Sequence, residues 1–126
     1  MNVHVDSSLD IPVIYVDGEV DMSNTHHIDA AVAGAVANDA FGAVLDLSKV
    51  TYLDSAGVRL LFQLDSRLAV HQQRLVLVVP ASAPILRALQ AAGVIGSLAL
   101  APALADALLI ARTQRRVQQG PSGAAG

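Results

Sequence analysis

The sequence predicts an α/β domain built on a small mixed β-sheet flanked by about four α-helices. Three observations carry this reading. After Gly42, short apolar β-rich runs alternate with helix-period runs, the signature of parallel strands joined by right-handed crossovers. The first two strand-like runs have no helix between them, which favours antiparallel pairing there. Of the 126 residues, 53% are hydrophobic and only 3% aromatic, so there is material for one aliphatic core of Val, Leu, Ile and Ala.

The elements follow in order. Val3 to Val5 reads as a short first strand, and Ile11 to Val16 as a second, closed by the turn signal Asp17-Gly18. Ser23-Asn24-Thr25 are N-cap residue types. Beyond them Ile28, Ala31, Val32, Ala35 and Val36 recur at the spacing of one helix face, and the helix is expected to stop near Asn38-Asp39. Ala43 to Leu47 is apolar enough for a central strand. Val58 to Gln72 reads as a helix capped by Asp54, with Val58, Leu61, Phe62 and Leu68 facing the core and Leu60 and Leu64 widening that face. Arg74 to Val79 is a second central strand, ended by Pro80. Ser82 is the expected cap of a short helix with Pro84 in its first turn, Ile85, Leu86 and Leu89 inward, and Gly93 as its stop. Ser97 to Leu100 reads as an edge strand, and Ala103 to Arg112 as a last helix with Leu104, Leu108 and Ala111 inward. A single domain over 1–113 and a disordered tail over 114–126, rich in Gly, Pro, Ser and Ala toward its end, complete the chain.

Bulk properties exclude several functions. The formal net charge of −3, one lysine (Lys49) and arginines clustered only at Arg112, Arg115 and Arg116 argue against nucleic acid as a partner. Without cysteine the chain has neither disulfides nor thiol chemistry, which suits the cytoplasm. No secretory pattern opens the sequence. The most apolar stretch, Val94 to Ala111, is broken by Gly96, Pro102 and Asp106 and falls short of the roughly 20 apolar residues of a membrane span. His26-His27 has no partner at zinc spacing, and adjacent helical side chains diverge by about 100°, so neither a metal nor another cofactor is expected.

The most informative segment is Val50-Thr51-Tyr52-Leu53-Asp54-Ser55-Ala56-Gly57-Val58, where a strand hands over to a helix. A helix start offers unpaired N–H groups and a partial positive charge, so a hydroxyl there is accessible and a phosphate on it is stabilised. On spacing alone Asp54 and Ser55 read as a helix cap, a common use of these residue types. The surrounding pattern turns the reading to a phosphorylation switch, and a cap position is also an exposed one.

That pattern resembles the STAS domain, in particular the stand-alone anti-sigma factor antagonists of bacteria. Asp17-Gly18-Glu19-Val20-Asp21 is similar to the family's Gly-Glu-apolar-Asp at the end of an early strand. Leu45-Asp46-Leu47-Ser48-Lys49-Val50 resembles its central strand and exit, and Leu53-Asp54-Ser55-Ala56-Gly57 its Asp-Ser-(Ser/Thr/Ala)-Gly switch. The likeness runs over about residues 3 to 112. It implies a binding protein rather than an enzyme: unphosphorylated, it binds an anti-sigma factor serine/threonine kinase and frees the sigma factor. Phosphorylation releases it, and a PP2C-type phosphatase resets it. By position Ser55 is the implied acceptor, with Asp21, Asp54, Ala56, Gly57 and Arg59 in the partner-binding surface. The small Gly57 is expected to let a partner approach the backbone. Many relatives carry Gly-Leu-Gly after the switch where this chain has Gly57-Val58-Arg59. Arg59 stands one turn after Ser55 on the same helix face, within reach of a phosphate there or of an acidic patch on the partner.

Other readings stay beside this one. A STAS scaffold or adaptor that is never phosphorylated, in a signalling or lipid-transport assembly, fits the same residues. A receiver-like phosphoacceptor at Asp46 lacks its lysine near Val78-Val79-Pro80. A serine hydrolase lacks a Gly-x-Ser-x-Gly elbow and a recognisable triad order.

Overall fold

The computed structural model describes residues 1–37 and 40–113. Five strands form one sheet in sequential order: β1 (Asn2–Asp6), β2 (Val13–Val20), β3 (Gly42–Leu53), β4 (Arg74–Val78) and β5 (Ala99–Ala101). β1 pairs antiparallel with β2, and every later pair is parallel. The crossovers carry α1 (Thr25–Ala35), α2 (Ser55–Val70) and α3 (Ile85–Ala91). Strand order never reverses, so crossovers of one hand bring all three helices to one face of the sheet. A fourth helix, α4 (residues 104–113), covers part of the other face. The mixed sheet with four helices expected from the sequence is therefore present. The expected helix stop at Asn38-Asp39 and the expected tail over 114–126 lie outside the described residues; α1 itself ends at Ala35.

Two apolar layers sandwich the sheet. The larger joins Ile14, Leu45, Leu47, Leu75 and Leu77 to Ile28 and Val32 of α1, Leu61, Leu64 and Leu68 of α2, and Ile85 and Leu89 of α3. The smaller sets Val13, Val44, Val76 and Val78 against Ala107 and Ala111 of α4, with Leu104 and Leu108 partly buried beside them. Burial on both faces explains why the central strands read as unbroken apolar runs. Each fully buried Leu or Ile contributes about 1.5–3 kcal/mol. Among the described residues two exposed ion pairs tie elements at the surface, Arg67 to Asp29 and Arg112 to Asp10. Pairs so exposed contribute little to stability, although the Arg112 guanidinium holds the Asp10 carboxyl below its ordinary range.

Several boundaries differ from the sequence reading. Asp17-Gly18 is no turn. β2 runs through it to Val20, with Gly18 at φ +102, between two irregularities in its pairing with β3. β3 extends to Leu53, not Leu47. From Tyr15↔Asp46 to Asp17↔Lys49, β3 advances three residues against two on β2; from Gly18↔Val50 to Glu19↔Tyr52, two against one. These bulges break the two-residue alternation, and the inward residues become Leu47, Val50 and Leu53. Ser82 is not a cap: α3 starts after Pro84 with no side-chain cap bond. Phe62 is not a core residue but 37% exposed, because the buried positions of α2 are Gly57, Leu60, Leu61, Leu64 and Leu68.

These two positions separate core from surface experimentally. Leu64, with no exposed surface, should lose about 2–5 kcal/mol on Leu64→Ala in urea unfolding, whereas Phe62→Ala should lose less than about 1 kcal/mol.

Candidate functional site

β2 and β3 are parallel and end side by side, with Val20 opposite Leu53. Their C-terminal ends meet there, the edge of a parallel sheet where sites commonly assemble. The next residue of each chain segment is an aspartate, Asp21 after β2 and Asp54 after β3, so two acids of the implied partner-binding surface leave the same sheet edge.

Asp54 joins the two exits. Its backbone N–H donates to the Val20 carbonyl at 3.2 Å. Its Oδ2 accepts from the Met22 N–H at 3.2 Å and its Oδ1 from the Gly57 N–H at 2.9 Å. The second bond is the expected N-cap, made from extended backbone at φ −89, ψ −176. The first was not legible locally, because Met22 is 32 residues away. One carboxylate thus fixes the start of α2 and the loop after β2 together.

Asp21 is held differently. Its Oδ1 accepts from both the backbone N–H and the hydroxyl of Ser23, which lower its pKa below the ordinary carboxyl value. Its own N–H donates to Asn24 Oδ1, and Asn24 Nδ2 donates to the Glu19 carbonyl. Asn24 occupies the N-cap position of α1, but its side chain braces the preceding loop instead of the helix.

Ser55 begins α2 and is exposed, and its hydroxyl has no hydrogen-bond partner among the described residues. Ala56 is half-buried beside it. Gly57 is buried, contrary to the expectation that it leaves room for a partner. A Cβ there would lie 3.1 Å from Leu53 Cγ and 3.2 Å from Val20 Cγ1, so the missing side chain lets α2 settle on the ends of β2 and β3. Arg59 is exposed and makes no ion pair among the described residues. Counting from Ser55, positions 59, 62, 66 and 70 share its face of the helix. Arg59, Phe62, Ser66 and Val70 accordingly line a shallow outer groove with Gln63 and Arg67. Phe62 and Val70 are apolar members of this face that the reading from Asp54 inward missed; counting the same helix period from Ser55 would have found them. Met22, on the loop pinned by Asp54, is 77% exposed.

His26 and His27 do not diverge as expected; their ring centroids are 4.1 Å apart in the first turn of α1. No group of three or more His, Cys, Asp or Glu side chains is placed to hold a metal among the described residues. Among them, too, no helix is long and apolar enough to cross a membrane.

The double role of Asp54 has a measurable consequence. Asp54→Ala should cost about 1–2 kcal/mol of stability. It should also speed amide exchange at both Met22 and Gly57. Faster exchange at Gly57 alone would reduce Asp54 to an ordinary cap.

Comparison with known proteins agrees with this geometry. The chain resembles an anti-sigma factor antagonist from Mycobacterium paratuberculosis, with 28% identity over 88% of this chain and 93% of that one, at a TM-score of 0.77. Two structures of SpoIIAA share its fold at 20% identity. They are the unphosphorylated form of that anti-sigma factor antagonist (90% of this chain, 98% of that one, TM-score 0.62) and the phosphorylated form of the Bacillus protein (85% and 96%, TM-score 0.59). No curated protein matches the sequence. The family described as "Mlab, STAS domain" matches residues 3–110, nearly the whole described chain, and the protein therefore belongs to the STAS domain family.

Proposed function

We propose that this protein is an anti-sigma factor antagonist that acts in the cytoplasm by partner switching. Unphosphorylated, it binds an anti-sigma factor serine/threonine kinase and frees the sigma factor; phosphorylated on Ser55, it lets go, and a PP2C-type phosphatase restores it. The observation that carries this reading is an exposed serine hydroxyl at the start of α2, unengaged among the described residues and adjoining the pinned carboxylate of Asp54. The likeness to the mycobacterial antagonist supports it.

The chemistry of the switch is electrostatic. A phosphate on Ser55 adds a charge of roughly −1.5 to −2. The Gly57 N–H, one of the donors a helix start could offer it, is already taken by Asp54. The added charge joins Asp54 and Asp21 at the same sheet edge, and against an acidic or closely packed partner surface such repulsion costs several kcal/mol. The fold need not change for the complex to dissociate. Arg59, one turn along the same face, is the cation placed to meet either the phosphate or the partner. Phe62, lining the same groove, supplies apolar contact beside it.

The description "Mlab, STAS domain" favours a second reading, an adaptor subunit that is never phosphorylated, in a signalling or lipid-transport assembly. One experiment separates the two. The protein is incubated with ATP and each anti-sigma kinase of its source genome, and the product is read by site-resolved mass spectrometry with Ser55→Ala as control. Phosphate on Ser55, absent from the control, is expected; no phosphate with any kinase would favour the adaptor. On the phosphorylated product, Arg59→Ala should raise the phosphate's second pKa in phosphorus NMR, since a nearby cation stabilises the dianion. An unchanged value would assign Arg59 to the partner instead.

A further inference from the structure

The sheet's second face changes character where α4 ceases to cover it. Beneath that helix the strands present Val13, Val44, Val76 and Val78. Two residues further along β2 and β3 come Tyr15 and Asp46, which are cross-strand partners, and then Asp17 and Ser48. With His4, opposite Tyr15 on β1, and Lys49, these residues line a cavity of about 390 Å³.

Asp46 sits in it with only 8% of its surface exposed. One carboxylate oxygen accepts from the Ser48 N–H at 2.9 Å, and no other protein donor meets the group among the described residues. A carboxylate this enclosed normally has a counter-charge or several donors. Lys49 is exposed to solvent and makes no ion pair with it. Beside it Tyr15, with the His4 ring centroid 6.0 Å away at a 30° tilt, forms an aromatic wall. Among the lining residues two acids, Asp17 and Asp46, stand against one lysine, Lys49. An enclosed carboxylate with a single backbone donor, lining one cavity with aromatic rings, suits organic cations, which pair with the anion and lie on ring faces.

We propose that this cavity binds a small organic cation, a free primary amine or guanidine, with Asp46 as its counter-ion and Tyr15 and His4 as its aromatic wall. The cavity and α2 lie on opposite faces of the sheet, so the site stays open while a partner occupies the Ser55 surface. The proposal does not rest on the antagonist reading.

The test is a titration of the full ¹⁵N-labelled chain with agmatine, which carries both cationic groups, and separately with butylamine and its uncharged analogue 1-butanol. Saturable shifts centred on the amides of Tyr15, Asp46 and Ser48 are expected with the cations and not with the alcohol. Asp46→Asn should weaken agmatine binding about tenfold or more, and Tyr15→Leu several-fold. No saturation up to roughly 20 mM, equal binding of the alcohol, or undiminished binding by Asp46→Asn would overturn the proposal. Should Asp46→Asn fail to fold, Tyr15→Leu decides, undiminished binding again overturning it.

Discussion

The site depends on one carboxylate that serves two segments. Parallel strands β2 and β3 end together, but a strand end fixes only where a chain leaves the sheet, not where it goes next. Asp54 supplies the missing constraint: one oxygen holds the first turn of α2 and the other holds the loop after β2. Gly57 completes it by letting the helix rest directly on Val20 and Leu53. The exposed face that results carries Ser55, Arg59 and Phe62 on the helix and Met22 on the loop, held in fixed relation by the core beneath. A surface built this way can be recognised as a rigid shape.

The same arrangement explains how a small chemical change could act on binding without acting on folding. Both acids at the sheet edge already have donors: Asp21 is satisfied by Ser23, and Asp54 by Met22 and Gly57. Neither carboxylate depends on the Ser55 hydroxyl, so modifying that hydroxyl removes no bond from the domain. On the proposed reading, a phosphate there changes only the charge presented outward.

Much of the fold was legible because its signals are local. The helix period of α1, the apolar runs of β3 and β4 and the Asp54 cap each lie within a few residues of chain. The first strand pair followed from the absence of a helix between its strands. The misreadings share a cause: they hinge on contacts distant in sequence. The bulges that carry β3 on to Leu53 exist only against β2, so the apolar run alone ended the strand at Leu47. Gly18 looked like a turn for the same reason. Phe62 was assigned inward on hydrophobicity, although the helix period counted from Ser55 places it outward. The bond from Met22 to Asp54 and the enclosure of Asp46 have no local signature, since each depends on which strands lie side by side. By contrast the Asp54 cap was legible from its own segment, because an acid and a serine at a strand-to-helix junction are a pattern contained in one stretch of chain.

The central claim is that phosphorylation of Ser55 changes what the surface presents while the Asp54 clasp stays closed. Amide hydrogen exchange of the chain before and after phosphorylation of Ser55 tests it most directly, read at Met22 and Gly57. Protection at both amides should survive phosphorylation, with the α2 core residues Leu61 and Leu64 equally unchanged. Loss of protection at Met22 and Gly57 would contradict the account, and would mean that the phosphate works by opening the junction rather than by recharging a fixed surface.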